Sequence, residues 1–348
     1  MLRILIVEDS SVVAMLLKAI FEQQPDMQVV GHARNGREGV QLAHELKPDV
    51  ITMDIRMPVM DGFEATRLIM ADSPVPIVVI SSSVDDEELR ITFRAIEEGA
   101  LAVMEKPRGF THPDFQTISR DLVDTVRSMS QVKLFRRHRM ERPRDVDIYE
   151  TAIQQRTKAY ELLAIGCSTG GPQVLHQIFS MLPIGFPIPI VVTQHMSKGF
   201  IGGLAAWLAG NTLLNVKVAA QGESLKAGTI YFAPDSHHLQ VVRSSSGLAA
   251  HLDGGERANG FCPSVSVMFK SVAQTCRNRA IGVLLSGMGA DGADGLLALR
   301  HAGGHTVAQD EESAVVYGMP GAAIALDAVD QVVAMNKMPA YLSSIVRK

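Results

Sequence analysis

The sequence predicts an α/β protein made of two doubly wound parallel-sheet domains, and three observations carry that expectation. Its 348 residues exceed one average domain and suggest about two. Short apolar runs alternate with helix-period segments over residues 1–125, and the same rhythm resumes from residue 160. Between them, residues 126–157 are charged, poor in glycine and weakly periodic, as in a solvated linker with a helical lead-in. The expected boundaries are therefore 1–125, 126–157 and 158–348.

In the first half the strand candidates are RILIV, MQVVGHA, DVITM, PIVVIS and LAVME, separated by amphipathic stretches such as SVVAMLLKAIFEQQ and GREGVQLAHEL. Strands alternating with helices imply parallel βαβ units, and runs such as ILIV and IVVI suit strands covered on both faces. In the second half LLAIG, IPIVVTQ, NVKVAA, TIYFAP, LQVVR, GLAAHL, AIGVLLS and HTVAQ read as strands. PQVLHQIFSML, FIGGLAAWLAG, SVSVMFKSVAQTC and ADGLLALRHA read as helices. The middle stretch TIYFAPDSHHLQVVRSSSGLAAHLD has the pattern of an antiparallel excursion with a Ser-Gly turn.

Composition narrows the function classes. A formal net charge of −4 offers no overall attraction to nucleic acid or anionic membrane. The linker arginines Arg136, Arg137, Arg139, Arg142 and Arg144 lack aromatic interleaving, and no helix-turn-helix follows them, which argues against DNA binding. Cys167, Cys262 and Cys276 lack metal-ligand spacing and fit a reducing, cytoplasmic compartment. The opening MLRILIVEDSS turns acidic after one strand length, unlike a signal peptide, and no apolar stretch is long enough to predict membrane insertion.

Chemistry gathers at predicted strand ends. Glu8 and Asp9 follow the first strand and Asp54 the third, where an open parallel sheet places its ligand crevice. Three mutually repelling carboxylates there call for a hard divalent cation such as Mg²⁺. Ser81 and Lys106 end the next two strands, adding a hydroxyl and a cation. Isolated acids often only cap helices, but five such positions in register describe a phosphoryl-accepting Asp54 with metal and phosphoryl contacts.

In the second half, GCSTG lies between a strand and a helix and fits the G-x-S-x-G nucleophile elbow. A phosphate cradle and an ordinary tight turn fit the same residues. His195 closes the strand IPIVVTQH, and Asp291 lies in the glycine-rich loop after AIGVLLS. Ser168, His195 and Asp291 are thus the residue types of an acyl-transfer triad, each at a C-terminal strand end. Asp294 and Asp310 are alternatives to Asp291. His237 and His238 beside Asp235 raise a metal site, disfavoured because adjacent residues of a strand face opposite ways. Cys167 is expected to pack into the strand rather than act as nucleophile.

The motifs VEDS, MDIRMPVMDG, VVISSS and MEKP make residues 1–125 resemble the receiver domain of two-component response regulators. Residues 160–335 resemble the catalytic domain of chemotaxis protein-glutamate methylesterases through GCSTGGP, TQHMSKGF, GMGADGADG, IYFAPDSHH, CPSVSVMFKSVA and VAQDEESAVVYGMPGAA. The resemblance implies a flavodoxin-like receiver followed by a Rossmann-like methylesterase domain. It implies phosphorylation at Asp54, contacts from Ser81 and Lys106, and Mg²⁺ held at Glu8, Asp9 and Asp54. In the second domain it implies a Ser168–His195–Asp291 triad, Met288 backbone in the oxyanion loop, Thr169 as a supporting polar group and no cofactor. The partners it implies are methyl-accepting chemotaxis receptors as substrate and the chemotaxis histidine kinase as phosphodonor. The unphosphorylated receiver is expected to cover the active site.

The chain departs from that family pattern at several places. Cys262 and Ser266 stand in the motif that usually reads R-P-S-V-D, Gly321 stands where a basic residue is usual, Asp235 replaces a glycine, and Arg56 replaces an acidic residue. These changes bear on substrate fit and on the domain interface. A methylesterase paralogue serving another sensory pathway, and a receptor-binding regulator without turnover, are the rival expectations.

Overall fold

The computed structural model describes residues 1–81, 86–109, 111–132 and 160–346, with residues 86–91 described by backbone alone. The arginine cluster of the linker lies outside these residues. The first half forms β1 (Leu2–Val7), α1 (Ser11–Glu22), β2 (Met27–Ala33), α2 (Gly36–Leu46), β3 (Val50–Asp54), α3 (Gly62–Asp72), β4 (Ile77–Ser81), α4 (Asp86–Glu97), β5 (Ala102–Glu105) and α5 (Phe115–Met129). Each of the first three helices starts on a side chain that caps it: Ser10, Asn35 and Asp61 accept from Val13, Glu38 and Glu64 backbone N–H groups. The strands lie parallel in the order β2-β1-β3-β4-β5. Strands β3 and β4 are buried along their whole length, as strands covered by helices on both faces must be. Helix α5 runs to Met129, into the stretch expected to be linker.

The second half forms β6 (Leu162–Cys167), α6 (Gly171–Phe179), β7 (Ile190–Gln194), α7 (Ile201–Ala209), β8 (Asn215–Val218), β9 (Thr229–Phe232), β10 (His238–Ser244), β11 (Gly247–Asp253), α8 (Val265–Cys276), β12 (Ala280–Leu284), α9 (Ala293–His301), β13 (His305–Gln309), α10 (Gly318–Ala325), β14 (Gln331–Val333) and α11 (Met338–Val346). A seven-stranded parallel sheet runs β14-β13-β12-β6-β7-β9-β8. The antiparallel excursion is narrower than its sequence pattern suggests. Strands β10 and β11 form a separate two-stranded hairpin, whereas β9 pairs parallel with β7 and β8. All four residues of β9 are buried, which suits a sheet interior rather than a one-faced hairpin.

In both sheets the chain order reverses beside one strand. Strand β1 lies between β2 and β3, and β6 lies between β12 and β7. Such a switch point opens a crevice outside the strand ends, so Glu8 and Ser168 occupy equivalent places in two sheets.

The two halves touch through α4 and α7. The Phe93 and Trp207 rings stack at 5.9 Å, and the Trp207 indole N–H donates to Glu97 Oε1 at 2.8 Å. Val315 and Val316 of the second half pack against the core cluster beneath α5. Among the described residues no helix is long and apolar enough to cross a membrane.

Candidate functional site

The crevice beyond β6 is built by backbone first. Gly170, at φ +79°, turns the chain from β6 into α6. The Ser168 N–H donates to the Ser286 carbonyl at 3.0 Å, tying the serine turn to the loop after β12. That loop passes so close that a Cβ on Gly287 would lie 2.8 Å from Ser168 Cβ. The His195 N–H donates to the Cys167 carbonyl at 3.0 Å, setting the histidine beside the serine turn. Gln194 then fastens both: its Nε2 donates to the carbonyls of Ser168 at 2.8 Å and His195 at 2.7 Å.

His195 Nε2 meets Asp291 Oδ2 at 2.9 Å, and the imidazole is almost wholly buried. Asp291 also accepts from Ser264 Oγ at 2.8 Å, from the backbone N–H groups of Val265 at 2.7 Å and Ser266 at 3.2 Å, and from Asn259 Nδ2 at 3.3 Å. Burial opposes its ionisation. The hydrogen bond and charge of His195, with the Ser264 hydroxyl and Val265 N–H, outweigh it and hold the carboxyl well below the usual range. His195 Nδ1 is buried and has no hydrogen-bond partner. The structure therefore joins the histidine to the aspartate, gathers all three residues at one sheet edge, and leaves the serine–histidine bond unmade. Catalytic hydrogen bonds are often formed only once a ligand is bound.

Thr169 follows the serine, and its carbonyl accepts from Ser286 Oγ at 2.8 Å. Among the described residues, the backbone N–H groups of Thr169 and Met288 have no acceptor. The Met288 side chain reaches the other half of the molecule, where Ser128 Oγ on α5 donates to its sulfur at 3.1 Å. Helix α5 also carries Asp121, whose carboxyl is pushed up by burial against opposing charges from Arg120 and Arg257. The first half thus lies against the mouth of the crevice.

The alternatives have other work. Asp294 binds Ser266 and, at 2.6 Å, Lys270, while Asp310 bonds Ser313. His238 is buried with both ring nitrogens occupied, Nδ1 accepting from Ser264 N–H and Nε2 facing the Glu256 carbonyl, each at 3.0 Å, so it offers no free ligand atom. The buried Cys167 thiol donates to Gln194 Oε1 at 3.0 Å and its pKa is pushed strongly upward by burial, which makes it inert. Two departures from the expected pattern are built in: Asp235 accepts from the Gly199 N–H at 2.7 Å, steadying the histidine loop, and Ser266 Oγ accepts from the Gly292 N–H at 2.8 Å beside Asp291.

At the other switch point, carboxylate oxygens of Glu8, Asp9 and Asp54 all lie within 4.8 Å of one another. Lys106 Nζ bridges Glu8 at 2.9 Å and Asp54 at 3.0 Å. The Ile55 N–H donates to Asp54 Oδ1 at 2.8 Å, and Lys106 N–H donates to the Ser81 carbonyl at 2.7 Å. Burial raises the Glu8 pKa, and the nearby Asp54 charge adds to it against the pull of Lys106. Burial works against a charged Lys106, but Asp54 and Glu8 overcome it and raise its pKa. The cluster holds more negative charge than one lysine neutralises, and hard oxygen donors at this spacing fit a divalent ion.

A chargeable acidic crevice on one sheet and a Ser/His/Asp crevice on the next define a class: a receiver-type switch joined to a hydrolase-like output. Comparison with known proteins agrees. The CheB methylesterase profile matches residues 163–342, and the response regulator receiver profile matches residues 4–112. A protein-glutamate methylesterase/protein-glutamine glutaminase of Methanospirillum hungatei is 45% identical over 94% of this chain and 93% of its own. One from Syntrophus aciditrophicus is 45% identical over 98% of this chain and 97% of its own. The crystal structure of the Thermotoga maritima CheB methylesterase catalytic domain, 37% identical, superposes with a TM-score of 0.53, covering 54% of this chain and 99% of that one. The chain belongs to the CheB methylesterase family and carries a receiver domain.

Sequence reasoning missed Gln194, Ser264 and Asn259. Gln194 carried a signal, since a polar residue closing an otherwise apolar strand beside His195 has to find partners. The others lie in a loop whose approach to Asp291 only the fold reveals.

Proposed function

We propose that this chain is a phosphorylation-activated serine esterase that removes methyl groups from glutamate methyl esters of chemoreceptors. Residues 1–125 act as the switch and 158–348 as the catalytic unit, joined by 126–157. The observation that carries the reading is the His195–Asp291 pair at 2.9 Å beside the Ser168 turn. With Nε2–H donated to Asp291, the lone pair for general-base work is on Nδ1. Ser168 Oγ attacks the ester carbonyl carbon as its proton passes to Nδ1. The N–H groups of Thr169 and Met288 receive the oxyanion. Collapse breaks the C–O bond, and the imidazolium returns its proton to the departing methanol. Water then attacks the acyl-enzyme, again giving its proton to His195, and releases the carboxylate and Ser168. The relatives' names pair this activity with glutaminase, and a side-chain amide follows the same route with ammonia leaving.

In the switch, Asp54 takes the phosphoryl group from a histidine kinase, with Ser81 and Lys106 as phosphoryl contacts. Glu8, Asp9 and Asp54 would hold Mg²⁺, which screens the negative charge of the incoming phosphoryl group. Phosphorylation shifts the two-domain equilibrium and uncovers the crevice at Met288. The setting is the cytoplasm, where receptor tails and kinase are both accessible.

The test is methanol release from methylated receptor membranes with and without a small-molecule phosphodonor. Release is expected to rise with the donor, to vanish in Ser168→Ala, and to lose its donor response in Asp54→Asn. Undiminished release from Ser168→Ala would overturn the assignment.

A further inference from the structure

The turn at residues 258–261 grips the histidine–aspartate pair from outside the triad. Ala258 and Phe261 exchange backbone hydrogen bonds of 3.0 and 2.9 Å, and between them Asn259 and Gly260 have φ of +53° and +85°. Two consecutive left-handed residues make a tight hairpin turn, and Asn-Gly is the pair that adopts it most readily. From this turn Asn259 Nδ2 reaches Asp291 Oδ1 and Ser266 Oγ, each at 3.3 Å. The Phe261 ring lies flat on the His195 imidazole, with centroids 4.0 Å apart and planes within 2° of parallel. Phe261 nevertheless stays 36% exposed, so core burial does not account for its position.

The imidazole needs such a neighbour. Its Nε2 bond to Asp291 is one contact, and one hydrogen bond fixes an axis but not the rotation of the ring about it. Nδ1, with no partner, adds no second constraint. A flat ring against the imidazole face removes that rotation. The same face, electron-rich at its centre, attracts the positive charge that the imidazole acquires when it takes a proton from serine.

We propose that Phe261 is a positioning residue for His195, fixing the plane of the base and favouring its protonated form through both proton transfers. This inference rests on the esterase reading above.

The test uses the full chain with phosphodonor, comparing Phe261→Leu, Phe261→Met and Phe261→Tyr. Leu and Met keep apolar bulk without a flat π-face, whereas Tyr keeps the face. The two ring-less variants are expected to lose about threefold to thirtyfold in kcat for methanol release, with KM within about twofold of wild type. Labelling of Ser168 by a fluorophosphonate, which needs the base but not the receptor, should slow in parallel. Phe261→Tyr should stay within about twofold of wild type in both measurements. Wild-type kcat and labelling in the ring-less variants would overturn the proposal. So would a loss confined to KM, which would make the ring a substrate contact, or an equal loss in Phe261→Tyr. Failure of the underlying reading looks different: Ser168→Ala would still release methanol, whatever residue stands at 261.

Discussion

The two crevices occupy the same place in two parallel sheets and treat buried carboxylates in opposite ways. Asp291 is surrounded by donors from Ser264, Val265, Ser266, Asn259 and His195, and its anion is held well below the usual carboxylate range. Glu8 and Asp54 share one lysine, and Glu8 is driven upward by burial and by its acidic neighbour. One carboxylate is enclosed by fixed dipoles that hold its charge. The acidic cluster is left under-compensated, which suits an added cation or a phosphoryl group. The contrast is the one expected between the proposed catalytic site and the proposed switch.

The largest expected effect comes from turning the first carboxylate into an amide. Asp291→Asn can keep its oxygen on the Ser264, Ser266 and Asn259 donors, which share Oδ1, and then presents N–H in place of Oδ2, where His195 Nε2 and the Val265 N–H now bind. The imidazole then favours the opposite tautomer, with Nδ1 carrying the proton and unable to accept one from serine. Methanol release should fall by about a thousandfold or more while the fold is kept. A loss below about tenfold would mean that the anion is not what orients the base.

The same contrast has a pH signature of opposite sign at the two sites. The folded pKa of Asp291 is depressed, so its contribution to stability is present above the unfolded value of about 3.9 and is lost as pH falls through the folded one. The folded pKa of Glu8 is raised, so the folded state holds its proton more tightly. Its contribution is greatest below the unfolded value of about 4.3 and is lost as pH rises through the folded one. Denaturant midpoints measured between about pH 3 and 7 should show Asp291→Asn increasingly less stable than wild type as pH rises. Glu8→Gln should move the other way, becoming relatively more stable toward neutrality. Parallel trends for the two variants would erase the distinction between the sites.

Much of this was legible in the sequence because it depends on strand ends. Apolar runs mark the strands, the residues just beyond them line the crevice, and so Glu8, Asp54, Ser168 and His195 could be placed from spacing alone. Strand β14 and helices α10 and α11 escaped because QVV is a three-residue edge strand and GMPGAAIA has no clear apolar face. The donors around Asp291 escaped for another reason. They come from a turn some 30 residues upstream (Asn259 is 32 positions away), and no local pattern records which loop closes over which. The same holds for the contact between the halves, which depends on Glu97 and Trp207 being 110 residues apart in sequence and 2.8 Å apart in space.

That contact gives the smallest and most specific expectation. Trp207 stacks on Phe93 of the switch and on His176 of its own half, at 5.9 and 4.9 Å between ring centroids, while its indole N–H is spent on Glu97. Trp207→Phe keeps an aromatic ring in the stack but removes the donor together with the buried volume of the second indole ring. One hydrogen bond to a partly solvated carboxylate contributes little net stability, enough to shift a two-state equilibrium about twofold to tenfold. If α4 and α7 hold the switch over the crevice, unphosphorylated Trp207→Phe should release methanol faster than wild type by that factor. Its fully phosphorylated rate should be unchanged, since the open state no longer uses the bond. An unchanged basal rate would shift the burden of closure to α5, where Ser128 meets Met288 at the mouth of the crevice.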